Sequence, residues 1–190
     1  MKHYPVIGIV GPQASGKTVV ASKLSDLGAS RVRMGDIAWE KVKERGLEVT
    51  EENVARIANE LREEEGMGAM AKYSIPYIKN EMKNNSAVVV DGIRGISEVK
   101  KFKEEFGKDF VLISIEALEE TRYERIKKRE REDDIKNFEA FQRKDNREKE
   151  WGLEEAMESA DYTITNEDSL EKLKEKTSKI FEEIMKKYEN

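Results

Sequence analysis

Two kinds of apolar pattern divide this chain. Short unbroken runs at residues 5–10 (PVIGIV), 87–91 (AVVVD) and 109–115 (DFVLISI) have strand length and predict strands buried on both faces. Between them, apolar residues recur every three or four positions, the spacing of one helix face. Thr18 to Leu27, stopped by Gly28, is one such stretch, and Val99, Phe102 and Phe106 mark another. Residues 168–188 form a closing amphipathic helix on Leu170, Leu173, Ile180, Phe181 and Ile184. SRVRM (30–34) and DYTIT (161–165) complete a set of five strands. Strands alternating with helices predict an α/β fold, a parallel five-stranded sheet flanked by helices.

Two segments fit this alternation poorly. Asp36 to about Lys83 is helical and rich in Glu and Arg, with breaks near Gly46, Gly66 and Pro76. Residues 118–150 are helical and densely charged. Segments 36–83 and 129–150 are too polar to be core, so they read as inserts over one sheet edge of a single domain spanning 1–190.

Composition narrows the function classes. The chain is 39 % charged and 37 % hydrophobic, with a net charge of −5, which argues against nucleic acid as a main partner. There is no cysteine, so disulfides and cysteine-based zinc sites are excluded, and the lone histidine, His3, reads as an exposed terminal side chain. No apolar run approaches membrane-spanning length and no signal-cleavage pattern is visible, so no membrane partner is expected and a cytoplasmic location is. Oligomeric state is not readable.

The strongest chemical signal follows the first strand. Gly11-Pro12-Gln13-Ala14-Ser15-Gly16-Lys17-Thr18 fits G-x-x-x-x-G-K-[ST] at every defined position, between an apolar run and a helical pattern. Such a loop curls its backbone N–H groups around a phosphate, which favours glycine where side chains would clash. Lys17 adds charge for the β and γ phosphates, and the Thr18 hydroxyl can ligate Mg²⁺.

Other candidates stand at strand ends. Asp91 ends the AVVVD run, where α/β sheets bind ligands, and can hold Mg²⁺ or merely cap a turn with Gly92. Arg94 either grips a second phosphate or lies on the surface. Asp36 is either a helix N-cap or a ligand-edge carboxylate. Arg122, Arg125 and Arg129 share one side of a helix beside Leu118 and Ile126, followed by Arg131, Arg143 and Arg147. They are a solvated charged face or, given the phosphate loop, a lid that disperses transition-state charge.

Together these elements resemble the nucleoside monophosphate kinases, especially adenylate kinase. The shared features are the phosphate loop, "GD" before a helix, "DG-x-R" after a strand, RIKKR (125–129), and REDD (131–134) with Arg143. ADYTITNEDSLEKL (160–173) resembles dephospho-coenzyme A kinase, whose Asn after the last strand, here Asn166, lies beside the donor base. The whole chain, including LREEEG (61–66) and WGLEEAMESADY (151–162), is similar to an archaeal family of adenylate-kinase-related, dephospho-coenzyme-A-kinase-like proteins. The resemblance implies a P-loop kinase fold with a helical acceptor-binding insert and a short arginine-rich lid. It implies ATP and Mg²⁺ as cofactors and a nucleotide-like acceptor, a nucleoside monophosphate or dephospho-coenzyme A. Lys17, Asp36, Asp91, Arg94 and Arg129 would be catalytic, and Arg125 and Asn166 would join Gly11–Thr18 around the donor.

Departures concentrate on the acceptor side. Met34 replaces the Ser or Thr before "GD", Trp39 the acceptor-gripping Arg, and Glu98 the adenine-reading Gln, while Asp91-Gly92-Ile93-Arg94 is one residue short. A non-catalytic or weakly hydrolytic nucleotide-binding protein is the alternative. Neither the N-K-x-D of GTPases nor an L-S-G-G-Q-like signature occurs.

Overall fold

Five consecutive apolar residues, Val6–Val10, form β1, and all are buried. The computed structural model describes residues 4–129 and 137–188; His3 and segment 130–136, with REDD, lie outside them. β2 (Ser30–Arg33), β3 (Val88–Asp91), β4 (Phe110–Glu116) and β5 (Tyr162–Thr165) complete one sheet in the order β2-β3-β1-β4-β5. Every pairing is parallel. The α/β expectation, five strands included, holds.

Side-chain alternation sorts the sheet between two cores. Val6, Val10, Val88, Val90, Phe110 and Leu112 face one layer; Ile7, Ile9, Val89, Val111, Ile113 and Ile115 face the other. The second layer is closed by α1 (Lys17–Asp26) and α9 (Leu170–Lys186), which pack together. The first receives α2 (Met34–Glu44), α3 (Glu51–Glu65), α4 (Ala69–Glu81), α5 (Ile96–Phe106) and α8 (Leu153–Glu158). α6 (Glu119–Arg129) follows β4, and α7 (Phe138–Glu150) precedes α8. Gly8 lies on the first face, where a Cβ would come within 2.7 Å of Ile93 Cδ1 and the Phe110 ring.

Several expectations need correction. The polar segment 36–83 does enter the core: Ile37, Val42, Ile57, Leu61, Met70 and Ile78 are buried. A narrow apolar stripe suffices for burial while the solvent face carries the charge that dominates the composition. Pro76 does not break its helix. α4 runs through it, because burial of Ala69–Ala71, Ser74 and Ile78 outweighs the lost N–H bond. Met34 starts α2 rather than ending β2, whose pairing stops at Arg33 with Asp91. Leu170 is exposed at the start of α9, where Ser169 caps the Lys172 N–H.

The connection from β1 crosses to β2 on one side, and that from β3 crosses β1 to reach β4. The carboxyl ends of β1 and β3 therefore flank a topological switch point, the usual ligand crevice of open α/β sheets. Phe102 anchors the first layer, fully buried and stacked on Phe106 and Phe110 at 6.4 and 5.5 Å between centroids. Phe102→Ala should lower unfolding free energy by about 3–5 kcal/mol in urea titration.

Candidate active site

Leaving β1, the backbone curls through Gly11 (φ 155°), Ala14 (φ 58°) and Gly16 (φ 109°). A Cβ at Gly11 would stand 2.4 Å from the Ile115 carbonyl oxygen, and one at Gly16 would stand 2.5 Å from Asn166 Nδ2. Both glycines are thus demanded by backbone shape and by close approach. α1 starts without a side-chain cap, so its first N–H groups and dipole face the loop as an anion site. Lys17 Nζ donates across the loop to the Gly11 and Pro12 carbonyls at 2.5 and 2.7 Å. Burial lowers its pKa to about 8; Glu148 and Asp91 oppose the shift, while Arg94 and Lys144 add to it. Thr18 lies exposed in the first turn of α1.

The loop is tied down from outside. Gln13 Nε2 donates to the Phe141 carbonyl (2.9 Å) and to Asp145 Oδ1 (2.8 Å). Arg122 grips both oxygens of Asp145 at 3.0 and 2.6 Å, donates to the Gln13 carbonyl, and lies 5.1 Å from the Phe141 ring. Arg125 donates to the Ala14 and Asn166 carbonyls, and Asn166 Nδ2 to the Ser15 carbonyl at 2.8 Å. The expected arginine stripe therefore divides. Arg122 is consumed in a buried pair, Arg125 lies against the loop, and the Arg129 side chain is outside the described residues. Leu118 is exposed, so it does not back the stripe, and Arg143 is exposed on α7.

Across the switch point, Asp91 pairs with Arg31, a residue that sequence reasoning missed. Only strand order reveals it, since β2 must lie beside β3 for the two to meet. Asp36 is not the N-cap of α2. It is exposed in the first turn, and Arg33 occupies the cap position. Glu98 is buried, and its Oε2 accepts the Arg94 N–H at 2.6 Å, so it stabilises the start of α5. Burial raises its pKa to about 6, against the Arg94 N–H and the guanidiniums of Arg62 and Arg94.

Beside Glu98 opens a cleft of about 380 Å³, lined among others by Met34, Trp39, Arg62, Arg94, Arg147 and Trp151. Arg62, Arg94 and Arg147 lie 5.2, 6.0 and 5.5 Å from the Trp151 ring, within cation–π range. Gly95 permits this: a Cβ there would stand 2.0 Å from the Trp151 carbonyl oxygen. Trp39 is half exposed at the rim. Arg147 and Trp151 stand one helical turn apart at the end of α7, whereas Arg62 and Arg94 come from distant parts of the chain, and no local spacing signals their meeting with Trp151. Among the described residues no group of three or more acidic, His or Cys side chains could cage a metal, and no helix is long and apolar enough to cross a membrane.

The sheet order and the glycine loop define a P-loop protein of kinase-like fold. The chain belongs to the family described as AAA domain, whose model matches residues 7–151, and to the UPF0200 proteins. It is 48 % identical over 97 % of its length to a UPF0200/UPF0201 protein of Archaeoglobus fulgidus, and spans only 57 % of that relative. It is 42 % identical to a UPF0200 protein of Methanosarcina mazei over 87 % of this chain and 88 % of the relative. Among solved structures, TT1252 from Thermus thermophilus shares the fold with a TM-score of 0.68, 20 % identity and coverage of 96 % and 98 %. Dephospho-CoA kinase from Campylobacter jejuni does so with 0.62, 17 %, and 95 % and 97 %. Shikimate kinase from Acinetobacter baumannii, in complex with shikimate, does so with 0.59, 17 %, and 100 % and 97 %.

Because Lys17 titrates near pH 8, ATP affinity should fall about tenfold between pH 7 and pH 9 as its charge is lost. Calorimetry in buffers of different ionisation enthalpy should show proton uptake on binding near pH 8. Asp145→Ala strands the buried Arg122 charge and should cost about 3–5 kcal/mol of stability in urea unfolding.

Proposed function

We propose that the protein is a Mg-ATP-dependent phosphotransferase acting on a small nucleotide-like acceptor, such as a nucleoside monophosphate or dephospho-coenzyme A. The observation that carries this reading is the arginine-lined cleft on the acceptor side of the phosphate loop. Arg94 belongs to both: it lines the cleft, and its charge acts on Lys17. Arg62, Arg94 and Arg147 supply positive charge for an acceptor phosphate, and Trp39 and Trp151 offer flat apolar surfaces for a base.

On the donor side, Gly11–Thr18 would cradle the β and γ phosphates, with Lys17 neutralising charge. Arg125 and Asn166, both bonded to the loop or its neighbours, would border the nucleotide. The Thr18 hydroxyl and the Asp91 carboxylate are hard oxygen donors suited to Mg²⁺, which when bound neutralises the phosphates. Arg31 engages Asp91 through Oδ2, so Oδ1 would be the oxygen offered to a cation or its water. We read 36–83 as the acceptor-binding segment and 129–150, with Arg129, as the lid.

Asp36 separates two mechanisms. A phosphate acceptor is already nucleophilic and needs positioning by Arg94, whereas a hydroxyl acceptor uses a base, for which Asp36 is the candidate. Asp36 is exposed and does not line the cleft, which favours the phosphate acceptor.

A Mg-ATP phosphotransfer screen over monophosphates and dephospho-coenzyme A, following product, should give turnover with one of them. Arg94→Ala should then raise the acceptor KM at least about tenfold, the weight of a charged hydrogen bond. Asp36→Asn should leave turnover of a phosphate acceptor intact. ATP hydrolysis indifferent to every acceptor would overturn the proposal in favour of a weakly hydrolytic nucleotide-binding role, and ATP binding without any turnover in favour of a non-catalytic one.

A further inference from the structure

Glu148 is a charged group at this site that the proposed reaction leaves without a task. It lies one turn beyond Asp145 on α7, the helix that Gln13 and Arg122 fasten to the phosphate loop. Its neighbour Arg147 lines the acceptor cleft. The Glu148 side chain is only 8 % exposed, and its Oε2 is buried with no hydrogen-bond partner. Among the described residues it forms no ion pair, although its charge acts on Lys17 more strongly than that of Asp91. The Lys17 ammonium itself is engaged by the Gly11 and Pro12 carbonyls.

An ionised carboxylate held out of water without a partner is costly. Its position also works against the ligand, since a triphosphate arriving at Lys17 would meet a carboxylate already drawing on the same ammonium. Both conflicts vanish if a divalent cation arrives with the phosphates. Such cations take carboxylate oxygens directly or through retained water. Arg94 and Lys144 bring positive charge to the same region, but neither bonds the buried Oε2 of Glu148.

Resting on the reading of the loop as the donor site, we propose that Glu148 contributes a carboxylate, directly or through water, to the cation accompanying the donor nucleotide. It thereby joins Thr18 and Asp91 and makes donor binding depend on the cation. α7 is then more than the return of a lid: it carries the group that discriminates metal-bound from metal-free nucleotide.

The test is equilibrium binding of ATP, by calorimetry, with saturating Mg²⁺ and with EDTA. The parent protein should bind the magnesium complex more tightly. Glu148→Gln should shrink that preference about tenfold, the weight of one charge-assisted contact. Metal-free ATP should bind it more tightly than it binds the parent. Mn²⁺ bound in the ATP complex, read by electron paramagnetic resonance, should also change its spectrum in the variant. Glu139→Gln, which removes an exposed charge of the same helix, should change neither readout. Glu148→Asp keeps the charge and should retain part of the preference, which guards against a folding defect in the amide variant. An unchanged Mg²⁺ preference in Glu148→Gln, with ATP binding intact, would overturn the role of Glu148 alone. Absence of ATP binding by the parent would overturn the donor site on which it rests.

Discussion

The buried pairing of Arg122 with Asp145 holds the rest of the site in place. Both side chains are almost wholly removed from water, and both are satisfied twice over, by each other and by Gln13. A planar guanidinium meeting a carboxylate through two parallel bonds has one good geometry, so the pair fixes orientation as well as distance. Because Gln13 belongs to the phosphate loop, α6 and α7 are positioned by the same knot that shapes the loop. A glycine-rich turn has little intrinsic rigidity; here it comes from side chains donated by distant helices.

A second consequence follows for charge. The chain is acidic overall, yet Arg62, Arg94 and Arg147 converge on one indole while Lys17 and Arg125 crowd the loop. Like charges at such spacing repel, and the fold tolerates this through Trp151, Glu98 and carbonyl acceptors. Glu98 shows the tension directly: burial disfavours its charge while two guanidiniums favour it. A surface that concentrates positive charge in a cleft of the right size for a small molecule is prepared for an anion.

The phosphate loop was legible because its residues are contiguous. Gly11 to Thr18 carry the loop's geometry in eight consecutive positions, and the flanking strand and helix follow from local periodicity. The arginine-lined cleft was not. Arg31 meets Asp91 only because β2 pairs with β3, and Trp151 reaches Arg62 only because Gly95 admits a backbone that a Cβ would exclude. Arg122 was misjudged for the same reason: helical spacing places it on a face but cannot say whether that face is wet. Pro76 likewise sits inside a helix that burial sustains.

The sequence alone determined the strand set, the α/β class and the phosphate loop, since each depends on neighbours within a few residues. Tertiary structure decided which arginines are spent inside the protein and which face the cleft, where Asp36 and Glu98 stand, and that Glu148 is buried beside the loop. Those outcomes depend on strand order and close backbone approach, which bring together residues separated by tens of positions, and no local pattern encodes such meetings.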